Sequence, residues 1–169
     1  INGDTDVFAT ELLMPTNEIL EKISGKKYSD EPLAFRVVAD HMKAAVMLIA
    51  DGVFPSNKDQ GYFVRRLLRR VIRYGMKLGI EKMFLTELVP GVVETYKDAY
   101  PQVIEKRNLI TESIQQEEKK FLRTLEKGLK EFEKSTQDSK KLTADLAFAL
   151  FETSGFPLEL SFEEPKTRD

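Results

Sequence analysis

Tyr62-Phe63-Val64-Arg65-Arg66-Leu67-Leu68-Arg69-Arg70-Val71-Ile72-Arg73-Tyr74-Gly75-Met76-Lys77-Leu78 carries six cations and no acid. At about 100° per residue, Arg65, Arg66, Arg69, Arg70, Arg73 and Lys77 fall within an arc of roughly 140° on a helix. Val64, Leu67, Leu68, Val71, Ile72 and Leu78 fill the opposite arc. The segment therefore reads as a helix with one face to bury and one dense positive stripe. Like charges at i,i+4 cost an isolated helix a few tenths of a kcal/mol each, so the stripe calls for a partner. Either acids elsewhere in the fold supply it, or a polyanion does. Arginine suits phosphate, because its planar fork donates two hydrogen bonds at once.

Outward from this helix the same period persists. Leu33 to Ala50 is apolar on nearly every side and predicts a buried helix, ended by Asp51-Gly52. Val53 to Gly61 is a loop rich in turn residues. Upstream, Asp4 to about Ile23 has helical spacing with a break or new start at Pro15. Downstream, Glu81 to about Tyr96 predicts a helix interrupted at Pro90-Gly91. From Pro101 to about Lys134 one long charged amphipathic helix is expected, its stripe Val103, Ile110, Ile114, Phe121, Leu125 and Phe132. Ser135 to Lys141 reads as a polar linker, Thr143 to Phe151 as a short helix, and Leu158 to Phe162 as a possible extended piece. The expected fold class is all-α: an irregular helical domain with a long amphipathic helix in its C-terminal half, a single domain over 1–169.

Composition narrows the chemistry. With no cysteine and one histidine, disulfides, thiol nucleophiles, cysteine-based zinc sites and histidine pairs are excluded. No Gly-rich phosphate loop and no nucleophile–base pair stand out. The net charge of −2 does not advertise nucleic-acid binding, so such a reading rests on local clustering. No apolar run is long enough to span a membrane, and Ile1-Asn2-Gly3-Asp4 lacks the features of a signal peptide. A reducing, cytoplasmic setting is expected, and the opening without methionine reads as a piece of a longer chain. His41 is expected to be a hydrogen-bonded core histidine, and Asp40 and Asp51 to pair with Arg36 or with the stripe.

Several stretches then resemble one family in order along the chain. Arg36-Val37-Val38-Ala39-Asp40-His41, Ile49-Ala50-Asp51-Gly52-Val53-Phe54-Pro55-Ser56-Asn57 and Gly61 to Arg70 are similar to the alanyl-tRNA synthetase pattern RVIADH…IADGVxPSNxxxGYVLRRIIRR. Asp4-Thr5-Asp6-Val7-Phe8 is similar to its YDTDLF, Glu117-Glu118 through Gly128 to its EEexFxrTLexG, and Leu150 to Leu160 to its LYDTYGFPLDL. The resemblance implies a tRNA-recognising middle domain that follows a catalytic core. It implies no cofactor in this piece, ATP and Mg²⁺ in the parent core, and Zn²⁺ in a parent editing domain. The implied partners are the tRNA(Ala) acceptor stem and the catalytic core of the same parent chain, with no membrane.

By the same resemblance, Asn57 and Glu152 would read the bases of a G·U wobble pair, and Arg65, Arg66, Arg69, Arg70 and Arg73 would hold the RNA backbone. A wobble pair leaves the guanine amino group unpaired in the shallow groove of A-form RNA. A carboxylate can accept from that amino group, and an amide can bond a uracil carbonyl. Glu152 departs from the family's Asp and adds a methylene, and Ser154 replaces its Tyr. Asn57 and Glu152 are then expected close together at one end of a basic groove. The plainer readings are that Asn57 caps or forms an Asx-turn and that Glu152 is a solvated charge. Two other classes stay open: a generic helical nucleic-acid binder, and a protein-interaction scaffold on the long helix.

Overall fold

The computed structural model describes residues 6–138, and every regular element among them is helical. A 3₁₀ turn, Val7–Ala9, precedes six helices: α1 Met14–Ser24, α2 Pro32–Ala50, α3 Asp59–Lys77, α4 Leu85–Tyr96, α5 Gln102–Glu105 and α6 Arg107–Asp138. The all-α expectation holds among these residues. The chain divides into two compact units, Ile1–Glu118 and Lys119–Asp169, with the division inside α6.

Prolines open the first two helices, where a missing amide hydrogen costs nothing: Pro15 begins α1 and Pro32 begins α2. Helix α2 is the centre of the first unit and packs against α1, α3, α4 and α5. Phe35, Val38, Ala39, Met42, Ala45, Val46, Ile49 and Ala50 on it have no exposed surface. The buried helix expected from its composition is therefore present. The expected apolar face of α3 is buried too, at Val64, Leu68, Val71 and Ile72, while Leu67 is half-buried.

Three stretches downstream of α3 differ from expectation. Helix α4 runs through Pro90 without interruption. The proline removes one bond, to the Thr86 carbonyl in the first turn, at a cost of about 3 kcal/mol. Leu88, Val89, Val92 and Val93 are essentially buried around it. At roughly 1.5–3 kcal/mol per buried apolar side chain, packing outweighs that loss. Gly91 makes the packing close, because a Cβ there would stand 2.9 Å from Ile19 Cδ1 and 3.3 Å from the Pro15 carbonyl on α1. The helix also begins at Leu85 rather than Glu81, since Phe84 and Ile80 before it turn into the core.

The helix expected from Pro101 is divided at Lys106, where φ is −98° and ψ 14°. Lys106 Nζ donates to the Ala50 carbonyl at 2.6 Å. That carbonyl is one of the orphan acceptors at the C-terminus of α2, where a cation is also favoured by the helix dipole. The third difference is that helix continues through Asp138 where a linker was expected from Ser135. No Gly or Pro stops the chain there, and its Glu- and Lys-rich run favours helix. Val103, Ile110, Ile114, Phe121 and Leu125 of the expected stripe are buried. The expected elements at Thr143 to Phe151 and Leu158 to Phe162 lie outside the described residues, as does the side chain of Phe132.

Arg36 corrects another expectation. Its Nη2 donates to Asp6 Oδ2 at 2.8 Å and its Nε to the Tyr28 hydroxyl at 2.9 Å, so Asp6 rather than Asp40 or Asp51 is its partner. Asp40 Oδ2 instead accepts from His41 Nδ1 at 2.9 Å. His41 is hydrogen-bonded as expected but sits at the edge of the core, with 17% of its side chain exposed. Asp6 also accepts from the Tyr28 hydroxyl at 2.5 Å, and that bond and Arg36 hold its carboxyl below the usual range. The cluster clips the N-terminal segment onto α2.

Candidate nucleic-acid interface

The loop that joins α2 to α3 folds on Ser56. Its amide donates to the Gly61 carbonyl at 3.0 Å, and its Oγ donates to the Lys58 carbonyl at 2.8 Å while accepting from the Lys58 amide at 3.3 Å. Gly61 is required for this closeness: a Cβ there would collide with Ser56 Oγ and the Phe54 carbonyl. The turn bonding expected of Asn57 is thus carried by its neighbour. Asn57 itself is exposed, and its Oδ1 accepts from Arg65 Nη1, nearly two turns into α3.

The stripe on α3 is divided lengthwise. Arg65, Arg69 and Arg73 are half-buried, whereas Arg66, Arg70 and Lys77 are exposed. Arg69 Nε donates to Glu117 Oε1 at 2.7 Å, and this pair is largely sheltered, with 18% of the arginine and 6% of the glutamate side chain exposed. The Arg65 guanidinium lies 5.5 Å from the centre of the Tyr62 ring. Burial, then the charge of Arg69, pushes its pKa down from the usual arginine range. On the exposed edge, Arg70 lies 5.7 Å from the Tyr74 ring centre, and Lys77 lies 5.7 Å from the same ring. Tyr62 and Phe63 stand exposed at the end nearest Asn57.

Glu117 was missed as a partner in reading the sequence, although a signal existed. Ile110, Ile114, Glu117, Glu118, Phe121 and Leu125 share one helical stripe, so two carboxylates fall on an apolar face. A buried carboxylate needs donors, and the stretch from Tyr62 to Leu78 has cations without acids. Glu118, fully buried, takes a different set: its Oε1 accepts from the Phe84 amide at 2.8 Å and the Leu85 amide at 3.2 Å. It thereby caps α4 from another helix. Burial raises its pKa, and the two amides oppose that rise.

Glu152, the other expected base-reading residue, lies outside the described residues. Among the described residues no cluster of His, Asp or Glu is suited to hold a metal ion, and no helix is long and apolar enough to cross a membrane.

The family model described as tRNA synthetases class II (A) matches residues 1–168. The chain belongs to the class II (A) tRNA synthetases. Its similar relatives carry the name alanine–tRNA ligase. That of Mesoplasma florum is 43% identical over 175 residues, covering 95% of this chain and 20% of the relative. That of Borreliella afzelii is 44% identical over 170 residues, covering 96% and 29%, and that of Thermotoga maritima 38% over 164 residues, covering 95% and 19%. This class II (A) synthetase chain therefore spans less than a third of the length of these curated relatives.

Proposed function

We infer that the chain is the tRNA-recognising helical domain of an alanine–tRNA ligase and follows its catalytic core. It binds the acceptor stem of tRNA(Ala) and helps to recognise the G·U wobble pair there. The parent enzyme activates alanine with ATP and Mg²⁺ in the core and attaches it to tRNA; a Zn²⁺-dependent editing domain lies elsewhere in the parent. The parent works in the cytoplasm.

The observation that carries this reading is the exposed amide of Asn57 bonded to Arg65, on the helix that also carries the exposed cations Arg66, Arg70 and Lys77. Phosphate contacts position an RNA without reading it, and base contacts read it. Arg66 and Arg70 are the residues assigned to phosphate, and Arg65, Arg69 and Arg73 contribute charge from the sheltered edge. Asn57 donates to the uracil carbonyl, and Glu152 accepts from the free guanine amino group.

Binding of this chain to a tRNA(Ala) acceptor hairpin, to its A·U variant and to duplex DNA tests the reading. Preference for the G·U hairpin over both is expected. Equal binding to all three would leave a generic nucleic-acid binder. No binding to any, with salt-insensitive binding to another protein, would leave a scaffold. The isolated chain is expected to show no alanine-dependent exchange of pyrophosphate into ATP, and measurable exchange would overturn the placement of the chemistry in the parent core.

A further inference from the structure

Asn57 has an amide that could present either its oxygen or its nitrogen to a ligand, and those two ends select opposite chemistry. An amide oxygen reads a donor, such as a guanine or adenine amino group. An amide nitrogen reads an acceptor, such as a pyrimidine carbonyl. An exposed asparagine on a loop is free to turn about its last torsion, and in either orientation it discriminates poorly.

Arg65 removes that freedom. Its Nη1 donates to Asn57 Oδ1, and a guanidinium carries donors only, so the nitrogen cannot face it. The bond engages the oxygen and leaves the two N–H groups of Asn57 as the end offered to a ligand. Arg65 is itself held: it is half-buried, lies over the Tyr62 ring, and stands one turn from the Arg69–Glu117 pair. Arg66, the neighbour of the same type, is exposed. The two adjacent arginines thus sit in different surroundings, and Arg65 is the one bonded to Asn57.

We propose that Arg65 is a positioning residue that fixes the polarity of Asn57, so that the Asn57 side chain offers its N–H donors and selects a carbonyl acceptor on the RNA. The inference rests on the function proposed above and adds to the role of Arg65 within it, from a sheltered charge to a determinant of specificity. A base with an amino group at that place meets donor against donor. It is rejected because neither group is satisfied.

The test uses this chain with Asn57→Ala, Arg65→Gln, Arg65→Lys, Arg66→Gln and the double variant Asn57→Ala/Arg65→Gln. Kd is measured for the G·U hairpin and for a hairpin in which cytosine, whose 4-amino group stands where uracil has its 4-carbonyl, replaces the uracil. Arg65→Gln is expected to lose about 5- to 150-fold of preference, as Asn57→Ala does, the range of one lost base contact. The double variant should lose no more than either single one, since both remove one coupled element. Arg65→Lys, which keeps a donor, should recover part of the preference, and Arg66→Gln should weaken both hairpins alike. If Asn57→Ala abolishes the preference while Arg65→Gln keeps it, the positioning role is wrong and the base-reading function stands.

A second readout does not depend on RNA discrimination. In the free chain, ¹⁵N relaxation of the Asn57 side-chain amide should report an ordered group that becomes mobile in Arg65→Gln. If the parent chain shows no hairpin preference but this ordering is present and lost in Arg65→Gln, the base-reading function fails and the fixed polarity stands. A mobile Asn57 amide in the unmodified chain would overturn the proposal.

Discussion

Arg69 and Arg70 are neighbours of the same type on α3, yet one meets a buried carboxylate and the other meets solvent. About 100° of helical rotation separates them. Arg65 and Arg66 repeat the contrast one turn earlier. The stripe is therefore two rows with different physics. In the sheltered row a charge is held by specific acceptors, and its loss leaves an acceptor stranded. In the exposed row a charge adds to a field that water and salt weaken.

The strongest way to break that comparison is to measure stability. Arg69→Met should lower unfolding stability by about 3 kcal/mol, because Glu117 would remain buried without its counter-charge. Arg70→Met should stay within about 0.5 kcal/mol of the parent, as exposed substitutions usually do. Urea denaturation of both variants checks this. Equal losses would mean that the two rows are energetically alike.

Asn57→Ala sharpens the contrast between holding RNA and reading it. It should leave the urea midpoint unchanged but remove roughly 1–3 kcal/mol of discrimination between G·U and A·U hairpins. Binding titrations at fixed salt provide the measurement. A uniform loss for both hairpins would make Asn57 a positioning contact of the backbone kind.

Smaller still is the effect expected in the exposed row. Arg66→Gln or Arg70→Gln should reduce the slope of log K against log salt by about 1 or less, regardless of stem sequence. A salt series with each variant tests it. An unchanged slope in both, with the fold intact, would place the phosphate contacts elsewhere.

The smallest effect separates a half-buried, ion-paired carboxylate from a fully buried one by the sign of its pH dependence. Asp6 is held by Tyr28 and Arg36 below the usual range. Its contribution to stability is present above its unfolded pKa, near 3.9, and is lost as pH falls through the lower folded value. Burial raises Glu118 instead. Its contribution is fully present below the unfolded value, near 4.3, and is lost as pH rises through the folded pKa. The stability of Asp6→Asn relative to the parent should therefore change with pH only below about 4. For Glu118→Gln the relative stability should change above about 4.3, with the opposite sign. Thermal unfolding from pH 3 to 8 reads both, and a common sign would remove the distinction.

Much of the fold was legible because punctuation and period agreed. Pro15 and Pro32 stand where helices begin, and Asp51-Gly52 where one ends. Pro90 was misleading because the sequence displays its local cost, whereas Gly91 against α1 and the burial of its neighbours supply the compensation. Lys106 was invisible for a similar reason. Its break in the helix is rewarded by a carbonyl 56 residues away. In the site, Asn57 was found through a motif, but its orientation depended on Arg65, which reads in sequence as one more cation in a row.

The sequence by itself determined that α3 has an apolar face and a basic one, because a helix repeats every 3.6 residues and no neighbour is needed to count that period. It also determined that α2 is buried, since so few of its side chains can face water. Only the tertiary structure decided which arginines are held and which are exposed. That choice depends on where Glu117 arrives from α6 and how loop 53–61 closes on Gly61, contacts that bring distant residues into one low-dielectric place. Electrostatic partners are set by distance and desolvation, and neither quantity is written in the order of residues along a chain.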